Sequence, residues 1–181
     1  YLSSGGQGAI YVNGNMAFKI YHDKKHALPL QKIKELSVIN NPNVVIPKDI
    51  IYDSASGDML GYVADFIDDT EPILKYFTKT FKQDNNITLP MIGDLVKKTQ
   101  FITHDIHTKK ILIVDYNELN ILIKNNNGLS PFYIDTDSYQ TVSFKSTAVM
   151  KSIMDRRCSK IINNSLVYNP DVMSDWFSWG I

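Results

Sequence analysis

Ala9 to Val12 and Met16 to Tyr21 are β-prone runs that flank Asn13, Gly14 and Asn15. A short Asn/Gly connection between such runs predicts a tight hairpin, with Lys19 on its second arm. From Leu28 to Ile39 the apolar Leu30, Ile33, Leu36 and Ile39 recur every three residues, which predicts one face of a helix. Pro29 then lies in the first turn, where proline is tolerated. Val44–Tyr52 and Met59–Ile67 read as further strands, separated by the turn-rich Ser54, Ala55, Ser56, Gly57 and Asp58. Helical patterns come next over Ile73–Phe81 and Met91–His107, divided by the polar stretch Lys82–Thr88. In the second, Ile92, Leu95, Val96, Phe101, Ile102 and Ile106 take the inward positions. Ile121–Lys124 and Pro131–Ile134 are strands around Asn125–Gly128. The order is β-rich with one helix, then α-rich with a strand hairpin at its centre, an α+β chain.

Composition adds exclusions. The 19 basic and 19 acidic side chains cancel, so no whole-chain field draws in nucleic acid or an anionic membrane. The lone Cys158 cannot close an internal disulfide, and it fits a reducing, cytoplasmic setting. No apolar run approaches the roughly 20 residues that cross a bilayer. An opening at Tyr1 and a stop at Ile181 within an apolar segment suggest a fragment, or the ordered part of a longer chain. Arginine occurs only at Arg156 and Arg157 while Asn, Ile and Lys abound, a bias that suits an AT-rich bacterial, phage or viral genome.

Two stretches carry candidate chemistry. Ser3, Ser4, Gly5, Gly6, Gln7 and Gly8 form a small-residue loop, which lets backbone N–H groups approach phosphate oxygens. It lacks the Gly-Lys-Ser/Thr and following helix of a P-loop. Farther on, VDYNELN over Val114–Asn120 places acids and amides directly before a strand, a composition that alone reads as a turn.

A glycine loop, a strand lysine in AFK, an Asp with an Asn five residues later and an Asp after a strand together resemble the protein kinases. The match is ordered and covers nearly the whole chain. The resemblance implies a bilobal fold: 1–67 as a β-rich lobe with a five-stranded sheet and one helix, and 68–181 as a mainly helical lobe, truncated or reduced at its end. The ATP-binding residues it implies are Ser3, Ser4, Gly5, Gly6, Gln7, Gly8, Ile10, Ala17, Lys19, Asp65, Phe66 and Ile67, with Ala64 as gatekeeper. Lys19 holds the α/β-phosphates, Asp115 accepts the proton of a substrate hydroxyl, and Asn120 and Asp135 hold Mg²⁺. The later SDWFSWG matches a segment whose acid, Asp175, buttresses the catalytic loop.

Departures from the family are as informative. Ile113 and Val114 replace the usual His-Arg, so control through a phosphorylated activation loop loses its arginine. Asn117 stands at the catalytic-loop position that Ser/Thr kinases fill with lysine. Thr136 and Asp137 replace the Phe and Gly after the metal-binding Asp. The strings DYNELN and IDTDS instead resemble a divergent bacterial and phage branch. Lys32 falls where the helix glutamate partner of Lys19 belongs, and Glu35, one turn later, is the alternative partner. His104 and His107 suggest a structural role rather than a metal site. No Ala-Pro-Glu is found in Ser143–Asn169, the region of the activation segment, so the protein acceptor is unspecified. Two other readings stay open: a small-molecule phosphotransferase of the aminoglycoside or choline kinase type, and a nucleotide-binding pseudokinase that acts through a partner.

Overall fold

The computed structural model describes residues 1–146, 148–163 and 165–180, with His26 described in its backbone only. Ser3–Ser4 (β1), Gly8–Asn13 (β2), Met16–Tyr21 (β3), Asp49–Tyr52 (β4) and Met59–Asp65 (β5) form one antiparallel sheet, ordered β1-β2-β3-β5-β4. The hairpin falls where Asn13-Gly14-Asn15 predicts it, with Asn13 opposite Met16 and Gly14 at φ 57°. Packing against the sheet needs a bare backbone at Gly61: a Cβ there would lie 1.8 Å from the Lys19 carbonyl oxygen. Gly61→Ala must therefore push β5 away from β3. The expected loss is about 1–3 kcal/mol, read in a thermal melt as about 2–4 °C per kcal/mol.

Leu30–Leu36 (α1) is shorter than its pattern predicts. It buries Ile33, Leu36 and, unexpectedly, Lys32, while Leu30 is exposed. The predicted strand Val44–Tyr52 is also shorter, because its first part pairs elsewhere. Val44 bridges Tyr133, the Val45 N–H donates to the Tyr133 carbonyl at 2.8 Å, and the Asn43 side chain donates to the Pro131 carbonyl at 2.9 Å. This strap ties the first sheet to the second half of the chain.

Thr70–Pro72 (β6), Ile121–Asn125 (β7) and Leu129–Tyr133 (β8) make a second antiparallel sheet. Around it lie Ile73–Phe77 (α2), Lys79–Asp84 (α3) and Leu89–Thr108 (α4). A single helix over Ile73–Phe81 is not formed: Thr78 is extended at φ −80°, ψ 145°, and its hydroxyl donates to the Lys75 carbonyl. Side-chain capture of a backbone carbonyl is how threonine interrupts a helix. α4 buries Leu95, Thr99, Ile102, Thr103 and Ile106, whereas Phe101 and Val96 face out. The two threonines displace the expected apolar residues because both hydroxyls find buried partners, Thr103 with Tyr116 and Tyr133, and Thr99 with the Trp179 indole.

The Ser159–Ile162 (β9) and Ser165–Tyr168 (β10) hairpin and Val172–Trp179 (α5) complete the order. Residues 68–180 thus hold five strands beside their helices among the described residues, more β structure than the pattern predicts. The chain is α+β, and no described helix is long and apolar enough to cross a membrane.

Candidate active site

The polar stretch VDYNELN is a tightly fixed loop. The Asp115 N–H donates to the Ile113 carbonyl at 2.7 Å, closing a three-residue turn on Val114 at φ 64°. For a β-branched residue that conformation is strained, so the surroundings must enforce it. Asp175, buried on α5, does so: its Oδ2 accepts the Ile113 N–H at 2.7 Å and its Oδ1 the Val114 N–H at 2.8 Å. His107, at the end of α4, lies 2.9 Å from the same Oδ2 through Nε2. Asp175 thus buttresses this loop from α5. On the loop's other flank the Tyr116 and Tyr133 hydroxyls meet at 2.6 Å beside Thr103.

Within the loop, Asp115 is half-buried and held by two amides. Asn117 and Asn120 donate through Nδ2 to its Oδ2 at 3.2 and 3.3 Å. The Asn117 side-chain oxygen also accepts the Leu119 N–H at 2.9 Å, so Asn117 shapes the turn beside Asp115. The Ile134 N–H donates to the Asn120 carbonyl at 2.9 Å, which brings Asn120 beside Asp135 where β7 begins and β8 ends. Asp135 adopts φ 59°, ψ 34°, a left-handed conformation that Asp tolerates better than most residues.

Lys19, only 6% exposed, reaches this turn from β3. Its Nζ donates to Asp135 Oδ1 at 2.5 Å and to both Asp137 oxygens at 3.0 and 2.8 Å. Tyr21 and Tyr62 donate their hydroxyls to Asp137 at 2.8 and 2.9 Å. Burial works to raise the Asp137 carboxyl, but Lys19 and the two tyrosines reverse this and hold it below the usual carboxylate range. Asp135 is pushed up instead, by burial and by the charge of Asp137, with Lys19 only partly offsetting. Burial would lower the Lys19 ammonium; the two carboxylates outweigh it and raise it.

Glu35 does not fill the role of partner to Lys19. Its carboxylate accepts the Ser143 N–H at 3.1 Å and the Gln31 side-chain amide at 3.4 Å, and with the Thr141 and Ser143 side chains beside it the carboxyl is held down to about 2. It anchors the segment after the Asp135 turn, and Asp137, which the sequence pattern does not mark as a site residue, holds the lysine.

A cavity of about 500 Å³ opens between the two sheets, in the size range of small-molecule sites. Of the expected ATP-binding residues, Ser3, Ile10, Ala17, Lys19, Asp65, Phe66 and Ile67 line it, together with Ala64 and with Asn120 and Asp135 at one end. The Phe66 N–H is already donated to the Asn15 carbonyl at 2.9 Å and the Ile67 carbonyl accepts the Thr70 hydroxyl at 3.3 Å, which leaves Asp65 and the Ile67 N–H as the backbone groups that can meet a base edge. Gly8 is fixed by packing, since a Cβ would lie 2.4 Å from the Ile20 carbonyl oxygen, whereas Gly5 and Gly6 face open space. Gln7 meets Lys19 at 3.5 Å, and Ser4 meets the His22 ring at 3.1 Å. A larger cavity of about 580 Å³ lies between α2, α4 and α5; no lysine or arginine lines it, whereas Lys19 lines the cavity between the sheets.

Among the described residues no three His, Cys, Asp or Glu side chains cluster into an all-protein metal cage. Asn120 and Asp135 are a smaller, all-oxygen pair, the donor set that suits Mg²⁺ shared with substrate phosphates. No protein-family model matches this chain, and no curated protein does.

Proposed function

We propose that this chain is an ATP- and magnesium-dependent phosphotransferase of the protein-kinase type, bilobal about the cavity between its two sheets, with a protein hydroxyl as acceptor. One observation carries the reading: a lysine, an asparagine and an aspartate from three separate segments meet in a cavity that also has an apolar wall of Leu2, Ile10, Ala17, Val45, Leu122 and Ile134. The acids Asp65, Asp69 and Glu71 are among its other lining residues. An adenine suits the apolar part, and a triphosphate suits the end that holds Lys19. Asn120 and Asp135 would hold Mg²⁺, which when bound neutralises phosphate charge.

The chain's own groups supply position. Lys19 orients the phosphates. Asp115, with Oδ2 engaged by two amides, has Oδ1 left to take the proton of the acceptor hydroxyl. Little covalent help is needed for phosphoryl transfer, so alignment of this kind carries most of the catalysis.

Thermal melting tests the binding half. With Mg-ATP at about 100 times its Kd, stability rises by about 2.7 kcal/mol, a gain of about 5–11 °C. Asp135→Ala is expected to lose the gain and Lys19→Ala to reduce it. An unchanged melt for the unaltered chain refutes the proposal.

A further inference from the structure

Two departures from the kinase pattern, Lys32 on α1 and Asp137 after the metal-binding Asp, stand 105 residues apart and touch: Lys32 Nζ donates to the Asp137 carbonyl at 2.6 Å. We propose that they are two halves of one exchange. The carboxylate that holds Lys19 has moved from the helix to the Asp135 turn, and Lys32 fills the vacated helix position by tethering that turn. Asp137 is then a positioning residue for Lys19. Its catalytic consequence rests on the phosphotransferase reading; its geometry does not.

Three observations support the exchange. First, the Asp137 carboxylate receives Lys19 on both oxygens and one tyrosine hydroxyl on each, so its acceptor sites are filled from β3 and β5. A buried charge is tolerable when it is paired and hydrogen-bonded to this extent. Second, the cluster is balanced, with Lys19 and Lys32 against Asp135 and Asp137. Lys19 would be stranded if both carboxylates were removed, whereas Lys32, whose ammonium burial lowers, rests on the Asp137 backbone carbonyl. Third, the remaining helix acid is committed elsewhere, Glu35 to the Ser143 N–H. Asp135 is the carboxylate that a metal would claim, so Asp137 is the one that stays with Lys19 when a nucleotide is bound. The arrangement couples α1 to the metal-binding turn directly, without a helix acid between them.

The test compares the unaltered chain with Asp137→Gly, Lys32→Glu, the double variant Lys32→Glu/Asp137→Gly, and Asp137→Asn. Each is melted without ligand, titrated with a fluorescent ATP analogue in EDTA, and assayed for kcat and for acceptor and ATP KM. Each single change is expected to lower the melting temperature and to cost about 10–100-fold in activity, as loss of an orienting partner does. The double variant should regain most of both, because the carboxylate returns to the helix and Lys19 keeps a partner. Asp137→Asn, close in shape, should weaken analogue binding and lower kcat while leaving the acceptor KM unchanged. Additive losses in the double variant, including its failure to fold, overturn the exchange. So does an Asp137→Asn protein that binds and turns over like the unaltered chain. If the unaltered chain binds no nucleotide, the phosphotransferase reading falls, and the ligand-free melting cycle still decides the exchange.

Discussion

On the proposed function, Asp115→Ala is expected to leave Mg-ATP binding nearly intact and to slow phosphate transfer by roughly 10²–10⁴-fold, the contribution of a positioned proton acceptor. The expected selectivity for the chemical step comes from placement: Asp115 sits on the loop, held by the Asn117 and Asn120 amides, and is not among the residues that line the cavity between the sheets. Calorimetric titration with Mg-ATP, beside single-turnover transfer of labelled phosphate, checks both halves. A variant that loses both equally would make Asp115 a binding residue. A variant that loses neither would remove it from the mechanism.

Asp175→Ala is the change with the largest expected effect on stability. It strips the Ile113 and Val114 N–H groups and the His107 ring of their acceptor, all within the interior. Breaking a buried pair of this kind costs about 3–5 kcal/mol, which lowers the melting temperature by about 6–20 °C. Activity should fall further than unfolding explains, since nothing else on α5 holds Val114 in its left-handed turn and Asp115 is the next residue. Asp175→Asn separates the effects. It keeps one acceptor oxygen, and a melt that recovers while activity stays low assigns Asp175 to orientation of the loop. An unchanged melt for Asp175→Ala would show that the turn does not depend on it.

Local signals made much of this legible. Asn13-Gly14-Asn15 specifies a hairpin by turn chemistry alone, and α4 announces itself through its periodicity. The order of Lys19, Asp115, Asn120 and Asp135 along the chain identified groups that the fold gathers, because each lies on a strand or in a loop that flanks one. What escaped depends on partners far away in sequence. Lys32 looks like a solvated helix residue until the Asp137 carbonyl is brought to it. Asp137 looks like a loop acid until two tyrosines and a lysine from the first sheet close over it. Thr99 and Thr103 took inward positions on α4 that a count of apolar residues awards to Val96 and Phe101, since hydroxyl partners outweighed hydropathy. Val44 and Val45 read as the start of a strand, but Val44 makes only an isolated bridge, and its partner is Tyr133 rather than β5. β9 and β10 carry no strong turn signal, and the predicted order lacks them.

The most direct test of the central claim is transfer of the terminal phosphate. The protein is incubated with Mg-ATP labelled at that phosphate and a panel of protein and small-molecule acceptors, beside the Asp115→Ala variant. Label appearing on a protein hydroxyl with the unaltered chain, and not with the variant, is the predicted result. Label on small molecules alone would move the acceptor class to that of an aminoglycoside- or choline-type enzyme. No transfer to any acceptor, together with no binding of Mg-ATP, would contradict the account.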